Sequence, residues 1–89
     1  MKAVVIEEGS SASLERIMEV FPRHKVVAER FIARGVVIGI GAFADRGGNL
    51  AIFKTRQAAE EFTKEDPFIL EGLITSFRIH EWTDTLLSE

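Results

Sequence analysis

The sequence predicts an α+β fold of element order β-α-β-β-α-β, an antiparallel sheet with its helices on one face. Three observations predict it. Apolar, β-branched runs of strand length begin near residues 3, 36, 50 and 73, and segments of helical period follow the first and third of them. The segment between the second and third is a glycine-rich turn too short to hold a crossover helix, so those two strands read as a hairpin. At 89 residues the chain is a single domain, 1–89. A chain of that size buries only roughly 60 to 65 per cent of its unfolded surface, so a partner subunit would add materially to its core.

Ala3 to Ile6, closed by Glu7, Glu8 and Gly9, is the first strand. Ser10, Ser11 and Ser13 are N-cap candidates for a helix whose apolar positions are Leu14, Ile17, Met18 and Phe21. Pro22 lacks an amide hydrogen and crowds the preceding turn, so it predicts a break there and the start of a second helix. In that second segment His24, Val27, Ala28, Phe31 and Ile32 share one stripe, with Arg23, Lys25, Glu29, Arg30 and Arg34 on the other side and Gly35 as the cap.

Val36 to Phe43 has unequal faces: Val36, Ile38, Ile40 and Ala42 suit a core, whereas Val37, Gly39, Gly41 and Phe43 form a face with two missing side chains. Successive glycines in a strand weaken it and mark close approach of a ligand or another backbone, which predicts a hollow on that face. After the turn Ala44 to Asn49, Leu50 to Thr55 is the third strand. Thr55 caps a helix carrying Ala58, Ala59 and Phe62, which Asp66-Pro67 ends. Phe68 to Glu71 reads as one helical turn closed by Gly72. Leu73 to Trp82 is the last strand, with Leu73, Phe77 and Ile79 inward and Ser76, Arg78, His80 and Trp82 outward. The order is that of the split βαβ, ferredoxin-like arrangement. Its uncovered sheet face, part apolar, predicts a homodimer through that face or a ligand on it.

Composition narrows the function classes. With 46 per cent hydrophobic and 28 per cent charged residues and a net charge of −3, the chain is an ordinary globular protein without the basic stripe of a nucleic-acid binder. The absence of cysteine excludes a disulfide framework, a thiolate metal site and a cysteine nucleophile, and points to a cytoplasmic protein. No apolar run approaches a signal peptide or the roughly 20 residues of a membrane span, so no membrane partner is expected. Two histidines without metal-ligand spacing predict no metal, and Gly47-Gly48 lacks the spacing and lysine of a phosphate loop, so no cofactor is expected.

Gly41 with Phe43-Ala44-Asp45 and Gly47-Gly48, Leu50-Ala51-Ile52-Phe53 leading into Glu60-Glu61-Phe62, Glu65-Asp66-Pro67-Phe68, Gly72, Trp82 and the upstream Arg23-His24 form a set. On these residues the chain resembles YciI-like (YCII-related) proteins over nearly its whole length. The resemblance implies a dimeric α/β-barrel, in which two ferredoxin-like sheets face each other, and a histidine–aspartate active site whose roles fall on His24 and Asp66. It also implies cofactor-free chemistry of the kind that dehydrochlorinates a small chlorinated hydroxyaromatic ring, within a superfamily that includes muconolactone isomerases and small monooxygenases. Gly41-Ala42 departs from the Gly-Pro that many relatives carry at the end of the second strand.

His24, in the first turn of its predicted helix and on the apolar stripe, is a candidate base; a core histidine bonded to a backbone carbonyl is the competing explanation. Asp66 before Pro67 is a candidate partner that orients His24, and equally a helix N-cap. Arg23, Gly41, Phe43, Phe68 and Arg78 are candidate substrate contacts, the arginines for an anionic group and the aromatic rings as apolar walls. The function expected is a small homodimeric lyase or isomerase acting by His/Asp acid-base chemistry on a small aromatic or hydroxylated molecule. The alternative is a non-catalytic dimeric module for ligand binding or assembly. His80, on the uncovered face, has an interface role by default.

Overall fold

The computed structural model of the chain describes residues 1–9 and 12–86. Four strands and three helices follow in the order β1 (Lys2–Glu8), α1 (Leu14–Ala33), β2 (Val37–Ala42), β3 (Gly48–Phe53), α2 (Arg56–Glu65), α3 (Pro67–Leu70) and β4 (Ser76–Trp82). All strand pairs are antiparallel in the order β2-β3-β1-β4, and the helices lie on one side, the ferredoxin-like α+β arrangement. No helix among the described residues is long and apolar enough to cross a membrane.

The first helix differs from expectation. Leu14–Ala33 is one helix of 20 residues with Pro22 inside it. Proline removes the hydrogen bond that its amide would give to the Met18 carbonyl. Pro22 and Met18 are both exposed, so water can serve the freed carbonyl. His24 is therefore mid-helix, and the stabilisation of a neutral imidazole expected from a helix N-terminus does not apply. The start is capped by Ser13, whose Oγ accepts from the Arg16 amide; Ser10 and Ser11 lie outside the described residues. Gly35, with φ 76°, ends the helix as expected.

Val20, Val27, Ala28 and Phe31 form the buried stripe of α1, whereas Leu14, Met18, Phe21 and Ile32, all expected on the apolar side, stay exposed. The main core joins Val27, Ala28 and Phe31 of that stripe to Ala3 and Val5 of β1, Ala51 and Phe53 of β3 and Ala58, Ala59 and Phe62 of α2. Its centre is three phenylalanines: Phe31 meets Phe62 edge-on at 5.4 Å between ring centroids, and Phe53 lies 5.2 Å from Phe62. A smaller cluster holds Val20, Phe68 and Leu73; the last precedes β4 instead of belonging to it.

A bulge in β2 corrects the reading of its faces. Val37 pairs with Phe53 and Gly39 with Ile52, so Ile38 is the extra residue. Val37 thereby turns to the helix side, where it packs on the core, and Ile38 is left 46% exposed. β3 starts at Gly48, earlier than Leu50, because Gly48 pairs with Glu8 at φ 146°. A Cβ there would stand 1.9 Å from the Glu7 carbonyl oxygen. Gly48→Ala is therefore expected to destabilise the fold by about 3 kcal/mol, combining backbone strain with a steric clash. Urea denaturation measures it, and an unchanged midpoint would contradict the close approach.

Candidate active site

The site grows out of a gap between α1 and the sheet. α1 makes its close backbone contacts with α2 and α3, while α2 lies against β1, β3 and β4. Beyond α2, where β2 and β3 run under α1, the facing residues are small: Ala28 above, Ala42 and Ala51 below. The result is a cavity of about 470 Å³ walled by Ile17, Phe21, Ile32, Ile40, Phe62 and Phe68. That volume suits a small organic ligand. The hollow expected on the Gly39/Gly41 face is thus on the opposite side, and alanines on the helix face make it. Gly41 contributes to the wall, whereas a Cβ at Gly39 or Gly41 would meet nothing within 4 Å.

His24 enters this cavity from the middle of α1, one turn after Val20 and one before Ala28 on the buried stripe. Its ring stacks on Phe68, 4.2 Å between centroids and 12° between planes, and meets the edge of Phe62. Its side chain is only 12% exposed. Packing thus fixes the ring plane.

Asp66 approaches from the junction of α2 and α3. A residue before proline avoids the helical region, and Asp66 at φ −67°, ψ 115° ends α2; Pro67 then begins α3. Its Oδ1 accepts the Phe68 amide at 3.1 Å, capping α3, and the same oxygen lies 2.8 Å from His24 Nδ1. The capping and pairing roles therefore meet on one oxygen. As a carboxylate Asp66 can only accept, so Nδ1 carries the hydrogen and Nε2 is the nitrogen left to exchange protons. Nε2 makes no hydrogen bond among the described residues. The sequence separation of 42 positions is closed by the packing of α1 on α3.

The other candidate contacts divide. Phe68 is both cavity wall and stacking partner. Phe43 lines a neighbouring cavity of about 280 Å³, which has Ile17, Ala42, Asn49 and Phe68 as walls in common with the first. Arg23 lies outside both, exposed and bonded to Glu71, whose carboxyl that pairing holds below the ordinary carboxylate range. Arg78 is on the other face of the sheet, 2.6 Å from Glu8. His80 shares that face, opposite Val4. The described residues include no group of three or more His, Asp or Glu side chains placed to hold a metal ion.

One residue of the site was read only as a strand end. Glu7 follows Ala3 and Val5 on the helix face of β1, is 3% exposed and lines the main cavity. The signal was the alternation itself, since residues 3, 5 and 7 share a face. Burial, reinforced by the adjacent Asp66 carboxyl, pushes its carboxyl up to about 9, with a small opposing effect from Asn49, whose Nδ2 donates to Oε1 at 3.4 Å.

A carboxyl raised in this way has a definite effect on stability. Below its ordinary value of 4.5 the folded and unfolded chains both hold the proton; between there and about 9 only the folded chain does. Stability attributable to Glu7 is therefore full at low pH and falls as pH rises through that window, by at most about 1.4 kcal/mol per pH unit. Measured by denaturant unfolding, the stability of the wild type relative to Glu7→Gln is expected to decline across the window and level off above it. A pH-independent difference would show Glu7 to be ionised in the folded protein.

Comparison with known proteins adds the lineage. Among solved structures, 5-chloro-2-hydroxyhydroquinone dehydrochlorinase from Burkholderia phenoliruptrix, in complex with 2,5-dihydroxybenzoquinone, is similar at TM-score 0.76 and 17% identity, covering 93% of this chain and 94% of that one. A protein described as an antibiotic biosynthesis monooxygenase from Nitrosomonas europaea is similar at TM-score 0.59 and 13% identity, covering 92% and 98%. Rv0793 from Mycobacterium tuberculosis is similar at TM-score 0.57 and 14% identity, covering 97% and 98%. These likenesses show the fold, the ferredoxin-like arrangement of four antiparallel strands with helices on one side. No curated protein sequence matches. The family model of the YCII-related domain matches residues 1–83, all but the last few positions of the chain, which belongs to that family.

Proposed function

We propose that this protein is a cofactor-independent enzyme that uses His24 and Asp66 for acid-base chemistry of the lyase or isomerase type on a small aromatic or hydroxylated molecule. The observation that carries the reading is the fully buried Asp66 carboxyl at 2.8 Å behind a histidine whose second nitrogen, beside an apolar cavity, has no hydrogen-bond partner among the described residues. In that arrangement Nε2 takes a proton from the substrate, and the imidazolium so formed is held by Asp66. In an elimination the leaving group departs with its bonding pair. In an isomerisation the same proton returns to a different atom. The similarity to a dehydrochlorinase supports elimination from a hydroxylated ring as the first reaction to test. Gly41 and Phe68 would contact the ligand directly, and Phe43 would contact one that extends into the second cavity.

Turnover is best sought with 5-chloro-2-hydroxyhydroquinone and related phenols, aromatic acids and lactones, using chloride release and thermal shift as readouts. We expect at least one ring compound to raise the melting temperature of the wild type, and His24→Ala to lower turnover by about 10²- to 10⁴-fold while the protein stays folded. If no ring compound stabilises the protein and His24→Ala alters stability alone, the pair is structural and the chain is a non-catalytic binding or assembly module.

The homodimer belongs to the same proposal. Val4, Ile6, Leu50 and Ile52 lie together on the sheet face that carries no helix, half-buried, with Trp82 40% exposed beside them. An apolar face of this kind is well suited to a second copy of the chain. A charge at its centre, Ile52→Glu, is expected to convert a dimer to a monomer in sedimentation velocity; a wild type that is monomeric at all concentrations would contradict this part of the reading.

A further inference from the structure

We infer that Glu7 is a neutral carboxylic acid whose Oε2 hydroxyl donates to Oδ2 of Asp66, so that the proton-handling unit is a chain, Glu7–Asp66–His24, with Glu7 as its positioning residue. The inference rests on reading His24 and Asp66 as the proton-handling pair and deepens it. It begins with two atoms. Glu7 Oε2 and Asp66 Oδ2 are both buried, and neither has a conventional donor among the described residues. Buried polar atoms left in that state are costly. Each side chain's other oxygen is occupied: Oε1 of Glu7 by the Asn49 amide, Oδ1 of Asp66 by His24 and by the Phe68 amide.

A single proton between the two carboxyl groups resolves both atoms at once. Two ionised carboxylates in contact away from water would repel each other and lose their hydration together, so one of the pair holds a proton. The surroundings assign it. Asp66 is met by an imidazole N–H and a backbone N–H, both of which favour its anion. Glu7 is met on β3 by neutral Asn49, on β4 by Phe77 and in the cavity by Phe62 of α2. Of the charged groups α1 brings to the cavity, Lys25 and Glu29, neither forms an ion pair with Glu7, nor does any arginine among the described residues. Burial raises the Glu7 carboxyl in the same direction.

The consequence is positional. A hydroxyl on Oδ2 and two N–H groups on Oδ1 fix the plane of the Asp66 carboxylate from both ends, which holds Oδ1 on His24 Nδ1 and so leaves Nε2 for chemistry. The unit carries one negative charge, so an imidazolium formed at His24 faces a single counter-charge and not two.

Carbon-13 NMR of glutamate-labelled protein tests the proton directly, with the Glu7 signal assigned by its loss in Glu7→Gln. In the wild type the Glu7 carboxyl is expected to remain protonated at neutral pH and to titrate near pH 9. In Asp66→Asn, where asparagine still caps α3 but brings no charge and offers an N–H to Glu7, the midpoint is expected to fall by about one unit or more. A Glu7 carboxylate already ionised at neutral pH, or a midpoint indifferent to Asp66→Asn, overturns the shared proton. The positioning role is read from exchange of the His24 Nδ1–H proton with water, expected to be about tenfold faster in Glu7→Leu and restored in Glu7→Gln, which keeps a donor. Equal exchange in the two variants overturns positioning; should Glu7→Leu fail to fold, exchange in Glu7→Gln that is far faster than in the wild type does the same. None of these signals depends on turnover, so an inactive wild type would overturn the proposed enzyme and leave the shared proton to be decided separately.

Discussion

A carboxylate with no exposure at all has to be met by donors, and Asp66 is the only Asp or Glu of the described residues buried to that degree. Its surroundings come from three separate elements: the Phe68 amide from the turn it caps, His24 from α1 and Glu7 from β1. The α2–α3 junction is thereby tied to α1 and to the central part of the sheet. Loss of His24 would take away one of the two N–H groups that meet Oδ1, so the residues of the candidate site also constrain the fold.

The cavity follows from how the helices share the sheet. α2 takes the space over β1, β3 and β4 with small residues, Ala58 and Ala59, and with Phe62; α1 then rests on α2 and α3 and stands away from β2. Because Ala42 and Ala51 do not fill the gap, the exposed Phe21 and Ile32 of α1 border a hollow instead of a core. An unbroken run of helix through Pro22 is necessary for this, since His24 reaches the cavity only if the period set by Val20 continues through the proline to Val27 and Phe31.

Local patterns made much of this legible. The strand and helix order follows from period-2 and period-3.6 apolar patterns, and the ends of α2 and α3 follow from Thr55, Asp66 and Pro67. The apolar stripe through His24 survives the error over Pro22, because periodicity on one face does not depend on where the helix starts. What local pattern could not supply was set by long-range pairing. The bulge at Ile38 depends on the register of β2 against β3, and the place of the hollow depends on where α1 settles. Glu7, beside Glu8, resembles a strand terminator; its alternation with Ala3 and Val5 puts it on the inner face, and the cross-strand partners Asn49 and Phe77 surround it there. The meeting of His24 with Asp66 was implied by family resemblance and by no spacing in the chain.

The competing explanation of Asp66 is that it is only a cap. A cap is worth about 1 kcal/mol, and serine or asparagine supplies nearly the same stabilisation without a charge. Burying a carboxylate completely costs several kcal/mol before its partners are counted, so a cap alone is a poor reason for an aspartate at this position. The cost is offset only by the donors that converge on it, and the most consequential of these is a histidine facing a cavity. A purely structural pair would gain equally from filling that cavity with side chains, as the three phenylalanines fill the adjoining core. An open apolar space beside the one imidazole backed by a buried carboxylate is the combination that capping does not account for and acid-base chemistry does.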